Sequence, residues 1–244
     1  MRLTPVSTTA LAMIVSIMAS AGLDAGLASA SPPGQVQLSN ETSFTRWANA
    51  VTLGAAHSAP STKARRVGRL RFRTGDGFPE VYIALASVQD ARGRTWIRVR
   101  LPQKPNNVTG WVVATALGDF HLVHTKLVVN RRWLRVTLYD HGHRVFQARV
   151  GVGKPSTPTP AGRFWIREKF HVRGNPLYGT RAMGTAAYSN TLTDWPGGGV
   201  VGLHGTSEPG LIPGRPSHGC VRIKNADIER LYRLTPVGTP LLIK

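Results

Sequence analysis

One cysteine, Cys220, is the only thiol in 244 residues, so no disulfide framework staples this chain from within. Long apolar runs are also lacking. Thr8 to Gly22 is mostly apolar, but it is shorter than the roughly 18–20 residues a spanning helix needs. It lies between a positive start, Met1-Arg2, and a small-x-small sequence, Ala28-Ser29-Ala30. That layout predicts a secretory signal peptide over 1–30. Membrane contact is then expected only through this segment, where it stays uncleaved. Acidic residues are scarce, 12 against 31 Lys+Arg, giving a net charge of +19. Such a balance ordinarily suggests nucleic acid, but export argues against it. The basic residues are also scattered, with Arg65-Arg66 and Arg131-Arg132 the only doublets, so no binding stripe stands out. We expect no nucleic-acid partner, and read the charge either as attraction to anionic cell-wall polymers or as a solubilising surface. Cys-x-x-Cys and His-Glu-x-x-His spacings are missing too, which argues against a zinc site. No metal and no cofactor are expected.

What is present is mostly short strands. The 41% hydrophobic residues suffice for a core. Residues 31–60 are rich in Ser, Pro, Thr, Ala and Asn and read as a linker. Over 61–117, Val81-Tyr82-Ile83-Ala84-Leu85, then Trp96-Ile97-Arg98-Val99-Arg100, then Gly110-Trp111-Val112-Val113 predict a small β-barrel, with apolar and basic residues alternating after Trp96 as on a half-buried strand. From 122 to 244 a second all-β pattern begins. Trp133 to Tyr139 and Val145 to Val150 flank Asp140-His141-Gly142-His143, a hairpin signal. Residues 171–199 alternate poorly and read as a long irregular stretch, a candidate lid over substrate. Asn225 to Tyr232 predicts one short helix, with Asn225 as its N-cap and Ile228, Leu231 and Tyr232 on one face. The fold class is therefore mainly β, in two parts.

The chemistry is concentrated in Gly202-Leu203-His204-Gly205-Thr206 and Ser217-His218-Gly219-Cys220-Val221-Arg222-Ile223. A thiol attacks well only as thiolate, and its ordinary pKa of about 8.5 needs a basic or cationic neighbour to lower it. His218, Arg222 and His204 are the candidates. In extended backbone, His218, Cys220 and Arg222 share one face, so spacing alone favours His218 as the base. Gly219 leaves room for a carbonyl to approach backbone N–H donors. The combination describes acyl transfer through a thioester. Two blander readings stand beside it, Cys220 as a core residue and Arg222 as the partner of a structural carboxylate. The remaining histidines have no comparable surroundings and read as surface or packing residues.

These two stretches resemble the catalytic signature of the L,D-transpeptidases, the YkuD-type domain. The likeness covers most of 123–244. It includes Val152-Gly153-Lys154, Thr159-Pro160-Ala161-Gly162, Leu177-Tyr178-Gly179-Thr180 and Gly238-Thr239-Pro240. The first part, with its Trp96 to Arg100 run and Gly110-Trp111-Val112, resembles SH3-like wall-associated modules, either a binder of wall peptide or a spacer. The family resemblance implies a β-rich catalytic domain acting on peptidoglycan stem peptides. Cys220 would attack after the third stem residue, a D-alanine would leave, and another stem's side-chain amine would take the acyl group in a 3→3 cross-link. It implies acylation of the same cysteine by carbapenem-type β-lactams. It assigns the general base to His204, oriented by the carbonyl of Gly205, and the oxyanion hole to the N–H groups of His218, Gly219 and Cys220, with Ser217 positioning them. Where many members have Asn, this chain has Arg222, which could grip a stem-peptide carboxylate. Tyr188 and Trp195 are expected to line the donor cleft. The alternatives are an L,D-carboxypeptidase or cross-link hydrolase using the same thioester, or an inactive wall-binding protein. The expected location is the periplasm, the cell wall or the medium.

Overall fold

Short turns with built-in chemistry set the strand pairings of the computed structural model, which describes residues 34–192 and 199–244. The hairpin at His141-Gly142 is the clearest. Both residues sit at positive φ, 49° and 82°, and Asp140 pairs with His143 across them, as a tight two-residue turn requires. At Asp90 the side chain closes the turn itself, its Oδ1 accepting the N–H groups of Arg92 and Arg94.

The first sheet holds β1 (Val36–Gln37), β2 (Thr45–Ala48), β3 (Ala55–His57), β4 (Arg66–Arg69), β5 (Tyr82–Gln89), β6 (Thr95–Arg100), β7 (Thr109–Val113) and β8 (His121–Val123). Their order is β4-β3-β7-β6-β5-β2-β8, with β1 on β5. The expected linker at 31–60 is thus corrected, because its described part supplies three strands of this sheet. They escaped notice because they are short, and because their buried residues are small or polar, Thr45, Ala48, Ala56 and His57. The sheet also extends past 117, since β8 pairs with β2. Alternation along β6 misplaces one residue. Arg98 is exposed, but Arg100 is buried and bonds Glu41 through both carboxylate oxygens at 2.6 and 2.7 Å.

The second sheet holds β9 (Thr125–Asn130), β10 (Arg135–Asp140), β11 (His143–Gly153), β12 (Gly162–His171), β13 (Arg181–Tyr188), β14 (Val200–His204), β15 (Gly214–Ser217), β16 (Val221–Ile223) and β17 (Pro240–Ile243). Their order is β10-β9-β17-β12-β13-β14-β16-β11-β15, and a further β10–β11 pairing closes the path on itself. Helix α1 (Asn225–Leu234) buries Ile228 and Leu231 in this sheet's core, with Tyr232 packed against it. Strand β13 corrects the irregular reading of 171–199. It is buried at nearly every position, and a strand covered on both faces shows no alternation.

The sheets pack directly on one another. Val81 and Ile83 meet Trp165 and Ala186 in a separate apolar cluster, and the Trp165 indole N–H donates to the Val81 carbonyl at 2.9 Å. Beside them Arg167 and Glu80 form a two-bonded ion pair, with side chains 3% and 0% exposed. Removing one partner of such a pair leaves an uncompensated buried charge, at a cost of about 3–5 kcal/mol. Among the described residues no helix is long and apolar enough to cross a membrane.

Candidate active site

Cys220 is placed by two short strands distant in sequence. β14 and β16 run parallel, with Leu203 opposite Val221 and His204 opposite Arg222. Gly202 therefore falls beside Cys220, and its N–H donates to Sγ at 3.5 Å. On its other side β14 is held by β13, where His204 faces Ala182.

The His204 ring is oriented from its own chain. Nδ1 lies 2.6 Å from the Gly205 carbonyl oxygen. A carbonyl only accepts, so Nδ1 carries the hydrogen and Nε2 keeps its lone pair. Burial pushes the His204 pKa down to about 4. The Gly205 carbonyl opposes that shift and the Arg222 charge adds to it. The imidazole is thus neutral at neutral pH, with the Nε2 lone pair available to take a proton. Tyr178 packs a tilted ring over it, centroids 4.6 Å apart. Gly205 is in turn anchored through Asn225, whose Oδ1 accepts the Thr206 N–H at 3.0 Å. This corrects Asn225 as an N-cap. Lys224 holds that position, with no side-chain cap bond, and the Asn225 amide serves the 205–206 turn instead. That amide lies so close to Gly179 and Gly205 that neither position has room for a Cβ.

The nucleophile sits on a turn rather than a strand. β15 ends at Ser217, β16 starts at Val221, and between them Gly219 adopts φ 126°. The extended backbone that would align His218, Cys220 and Arg222 is therefore interrupted. His218 is exposed, with Nε2 3.3 Å from Lys154 Nζ, so the spacing argument for His218 as base is corrected by the turn. Ser217 Oγ accepts the Gly219 N–H at 3.1 Å and donates to the Cys220 carbonyl at 2.5 Å. The Gly219 N–H is thus engaged within the turn, which corrects the three-donor oxyanion expectation. Beneath, Thr159 Oγ1 accepts from Gly153 N at 2.9 Å and donates to the Gly219 carbonyl at 2.7 Å. A Cβ on Gly153 would run into the Thr157–Thr159 backbone. Burial pushes the Cys220 thiol up, while the Gly202 N–H and the Arg222 charge pull it down. The net shift is upward, so the resting group is a thiol and its proton must leave during attack.

The other expected site residues divide. Arg222 donates to Glu208 Oε2 at 2.6 Å, so its charge is already committed to a carboxylate of this chain. Tyr188 does line the cleft, its hydroxyl donating to the Pro102 carbonyl at 3.1 Å. Trp195 lies outside the described residues. Cys220 opens on both sides, to a cavity of about 1220 Å³ and to a smaller one of about 190 Å³. His204, Tyr178 and Val200 line both. Sequence reasoning gave no role to Tyr178, Thr159 or Lys154, although all three lie in segments singled out as motif. Among the described residues no three His, Cys, Asp or Glu side chains gather as a metal ligand set.

Comparison with known proteins points to one family. The family model of the L,D-transpeptidase catalytic domain, YkuD, matches residues 124–243. A Bacillus subtilis protein named as an L,D-transpeptidase, YqjB, is 31% identical over 127 residues, 48% of this chain and 69% of its own length. The Bacillus subtilis protein YkuD is 28% identical over 134 residues, 54% of this chain and 73% of its own. Escherichia coli YbiS is 29% identical over 138 residues, but this chain covers only 44% of it. Among solved structures, the Enterococcus faecium L,D-transpeptidase catalytic domain is 25% identical with a TM-score of 0.37, covering 49% of this chain and 96% of that one.

Proposed function

This chain belongs to the L,D-transpeptidase family, and we propose that Cys220 and His204 carry out its acyl transfer between peptidoglycan stem peptides. The observation that carries this assignment is the His204 Nδ1 to Gly205 carbonyl hydrogen bond on the strand paired in parallel with the one that follows Cys220. It fixes the tautomer whose Nε2 accepts a proton.

In the reaction, Cys220 Sγ attacks the carbonyl carbon of the third stem residue while its proton passes to His204 Nε2. The C–N bond to the terminal D-alanine breaks, and the departing amine takes that proton. The thioester is then attacked by the side-chain amine of a second stem. That amine gives its proton to His204, which returns it to the leaving thiolate. With the Gly219 N–H engaged by Ser217, the backbone N–H groups of Cys220 and His218 are the donors left for the tetrahedral oxyanion, a kind of contact worth about 2.7–4 kcal/mol per bond. Because the thiol's pKa is raised by burial, proton transfer accompanies attack, which suits a neutral buried base.

The composition of residues 1–30 supports export, to the periplasm or wall where the substrate is, and the net charge of +19 supports attraction to anionic wall polymers. Two measurements test the assignment. Intact mass after incubation with a carbapenem should show one covalent adduct, absent from Cys220→Ala. Stem tetrapeptide plus an acceptor amine should give a cross-linked dimer. Tripeptide as the sole product would replace transfer by hydrolysis, and no adduct on folded protein would overturn the cysteine assignment.

A further inference from the structure

We infer that the first sheet is part of the substrate-binding apparatus, and that its Arg71 and Lys104, with Arg173 from the second sheet, bind a free carboxylate of the donor peptide. The inference rests on the acyl-transfer reading for the identity of the ligand as a peptide, and on the cleft for everything else.

The cavity of about 1220 Å³ that holds Cys220 and His204 is not enclosed by the second sheet alone. Two first-sheet segments form part of its wall, one carrying Arg71 and Asp76, the other running from Pro102 to Lys104. A mere spacer would have no reason to be fastened there, yet both segments are. Asn106 reads the end of β13 through both amide atoms, Oδ1 accepting Tyr188 N–H at 2.9 Å and Nδ2 donating to the Tyr188 carbonyl at 2.8 Å. The Tyr188 hydroxyl returns a bond to the Pro102 carbonyl. The other segment is tied by Thr74 Oγ1, which donates to Glu168 Oε2 at 2.5 Å. The wall is therefore preorganised, and side chains projecting from it meet a ligand without first being ordered.

The charge on that wall has a sign. Arg71, Lys104 and Arg173 are exposed, line the cavity and make no ion pair with another described residue. Lys104 Nζ lies 6.0 Å over the Tyr188 ring, which keeps the ammonium on the cleft side of its loop. Arg167 also lines the cavity but is neutralised by Glu80. Against these stand two carboxyls, Asp76 and Glu168. Burial and then the Asp76 charge push the Glu168 pKa up, and the three cations outside ion pairs outnumber the two carboxyls. A cleft with surplus guanidinium and ammonium groups selects a carboxylate, which guanidinium meets with paired hydrogen bonds and ammonium as a point charge. Arg222, the residue whose position first suggested this role, is paired to Glu208 and leaves it to the opposite wall.

The test separates this inference from the transfer reading. Calorimetric binding to Cys220→Ala protein uses a stem tetrapeptide with free carboxylates and the same peptide fully amidated. The free peptide should bind more tightly. The double variant Arg71→Glu/Lys104→Glu, on exposed side chains, should weaken it roughly tenfold or more, leave the amidated peptide unchanged, and keep its Tm. Lys104→Arg should restore most of the affinity when paired with native Arg71. Equal affinity for the two peptides, unchanged binding after charge reversal, or no binding of the free peptide would each overturn the inference. Charge-dependent binding without turnover in wild-type protein would sink the transfer reading alone. Turnover with an unaltered KM in the double variant would sink only this one.

Discussion

The two sheets have nearly the same number of described strands, eight and nine, but they pair differently. Every pairing in the first sheet is antiparallel. The second contains three parallel pairs, β9–β17, β11–β15 and β14–β16. Antiparallel neighbours can be joined by a turn, whereas parallel neighbours need a crossover and so bring distant segments side by side. The reactive groups cluster at two of the parallel pairs, Gly153 with Ser217 and His204 with Arg222. The lesson is a division of labour. The first sheet supplies a rigid wall, and the crossovers of the second assemble the nucleophile, its base and the loop beneath them.

The sharpest way to break that division is to compare two histidines, one on a parallel strand and one on the turn. His204→Ala should lower the rate of carbapenem acylation by about 10²–10⁴-fold, the usual range for a lost general base. His218→Ala, whose ring faces Lys154, should cost less than about tenfold. Stopped-flow acylation at neutral pH decides it, and the reverse ranking would return the base to the turn.

The next largest effect concerns the joint between the sheets. Glu80→Ala strands the Arg167 guanidinium in a site with 3% exposure and should cost about 3–5 kcal/mol in chemical denaturation. Glu41→Ala breaks a pair wholly inside the first sheet. Its partner Arg100 retains 11% side-chain exposure, so the cost should fall nearer about 1–3 kcal/mol. Equal losses would mean that the interface between the sheets is no more tightly built than the first sheet itself.

Much of this was legible in the sequence, and the physical reason differs by element. The β10–β11 hairpin was visible because His141-Gly142 provides two residues that tolerate positive φ. Cys220 stood out as the one thiol in the sequence, whereas His204 as base came from the family resemblance and not from spacing. Strand β13 was hidden because burial on both faces removes alternation. The strands of 34–60 were hidden because they are short and their buried residues are small or polar. His218 was misjudged because spacing arguments assume extended backbone, and Gly219 breaks it. Arg222 could be read either way until Glu208 was found beside it. The carboxylate-facing wall could not be read at all, since Arg71 and Lys104 reach the cleft only through a packing of sheets that local pattern does not encode.

The two sheets should also differ in acid sensitivity. His204 in the second sheet has its folded pKa lowered to about 4 from 6.5. The unfolded chain therefore binds this proton first as pH falls. The contribution is fully present above the unfolded value and is lost as pH drops towards 4, by as much as about 3 kcal/mol. His204→Asn, which cannot titrate, should flatten the stability profile between pH 6.5 and about 4 relative to wild type. The acylation rate of wild-type protein should keep its base down to the same region, with an acid limb well below 6.5. A limb at the ordinary histidine value would mean that burial does not govern the base.

The smallest effect tests whether parallel pairing carries charge as well as geometry to the site. Arg222 stands opposite His204 across β14–β16 and disfavours the imidazolium, while favouring the thiolate of Cys220. Glu208 partly cancels that charge through a pair whose acidic side chain is 47% exposed, so breaking it should change stability by no more than about 1 kcal/mol. The kinetic consequences have opposite signs. Arg222→Asn removes the positive charge, so the acid limb of acylation should move up, by less than roughly one pH unit, and the rate should fall a few-fold as the thiolate loses support. Glu208→Gln leaves the guanidinium uncompensated, so the limb should move down and the rate rise slightly. Opposite shifts in a pH–rate series would establish Arg222 as an electrostatic tuner of both reacting groups. Shifts in the same direction would mean that it acts by packing, and that the second sheet hands the site its geometry alone.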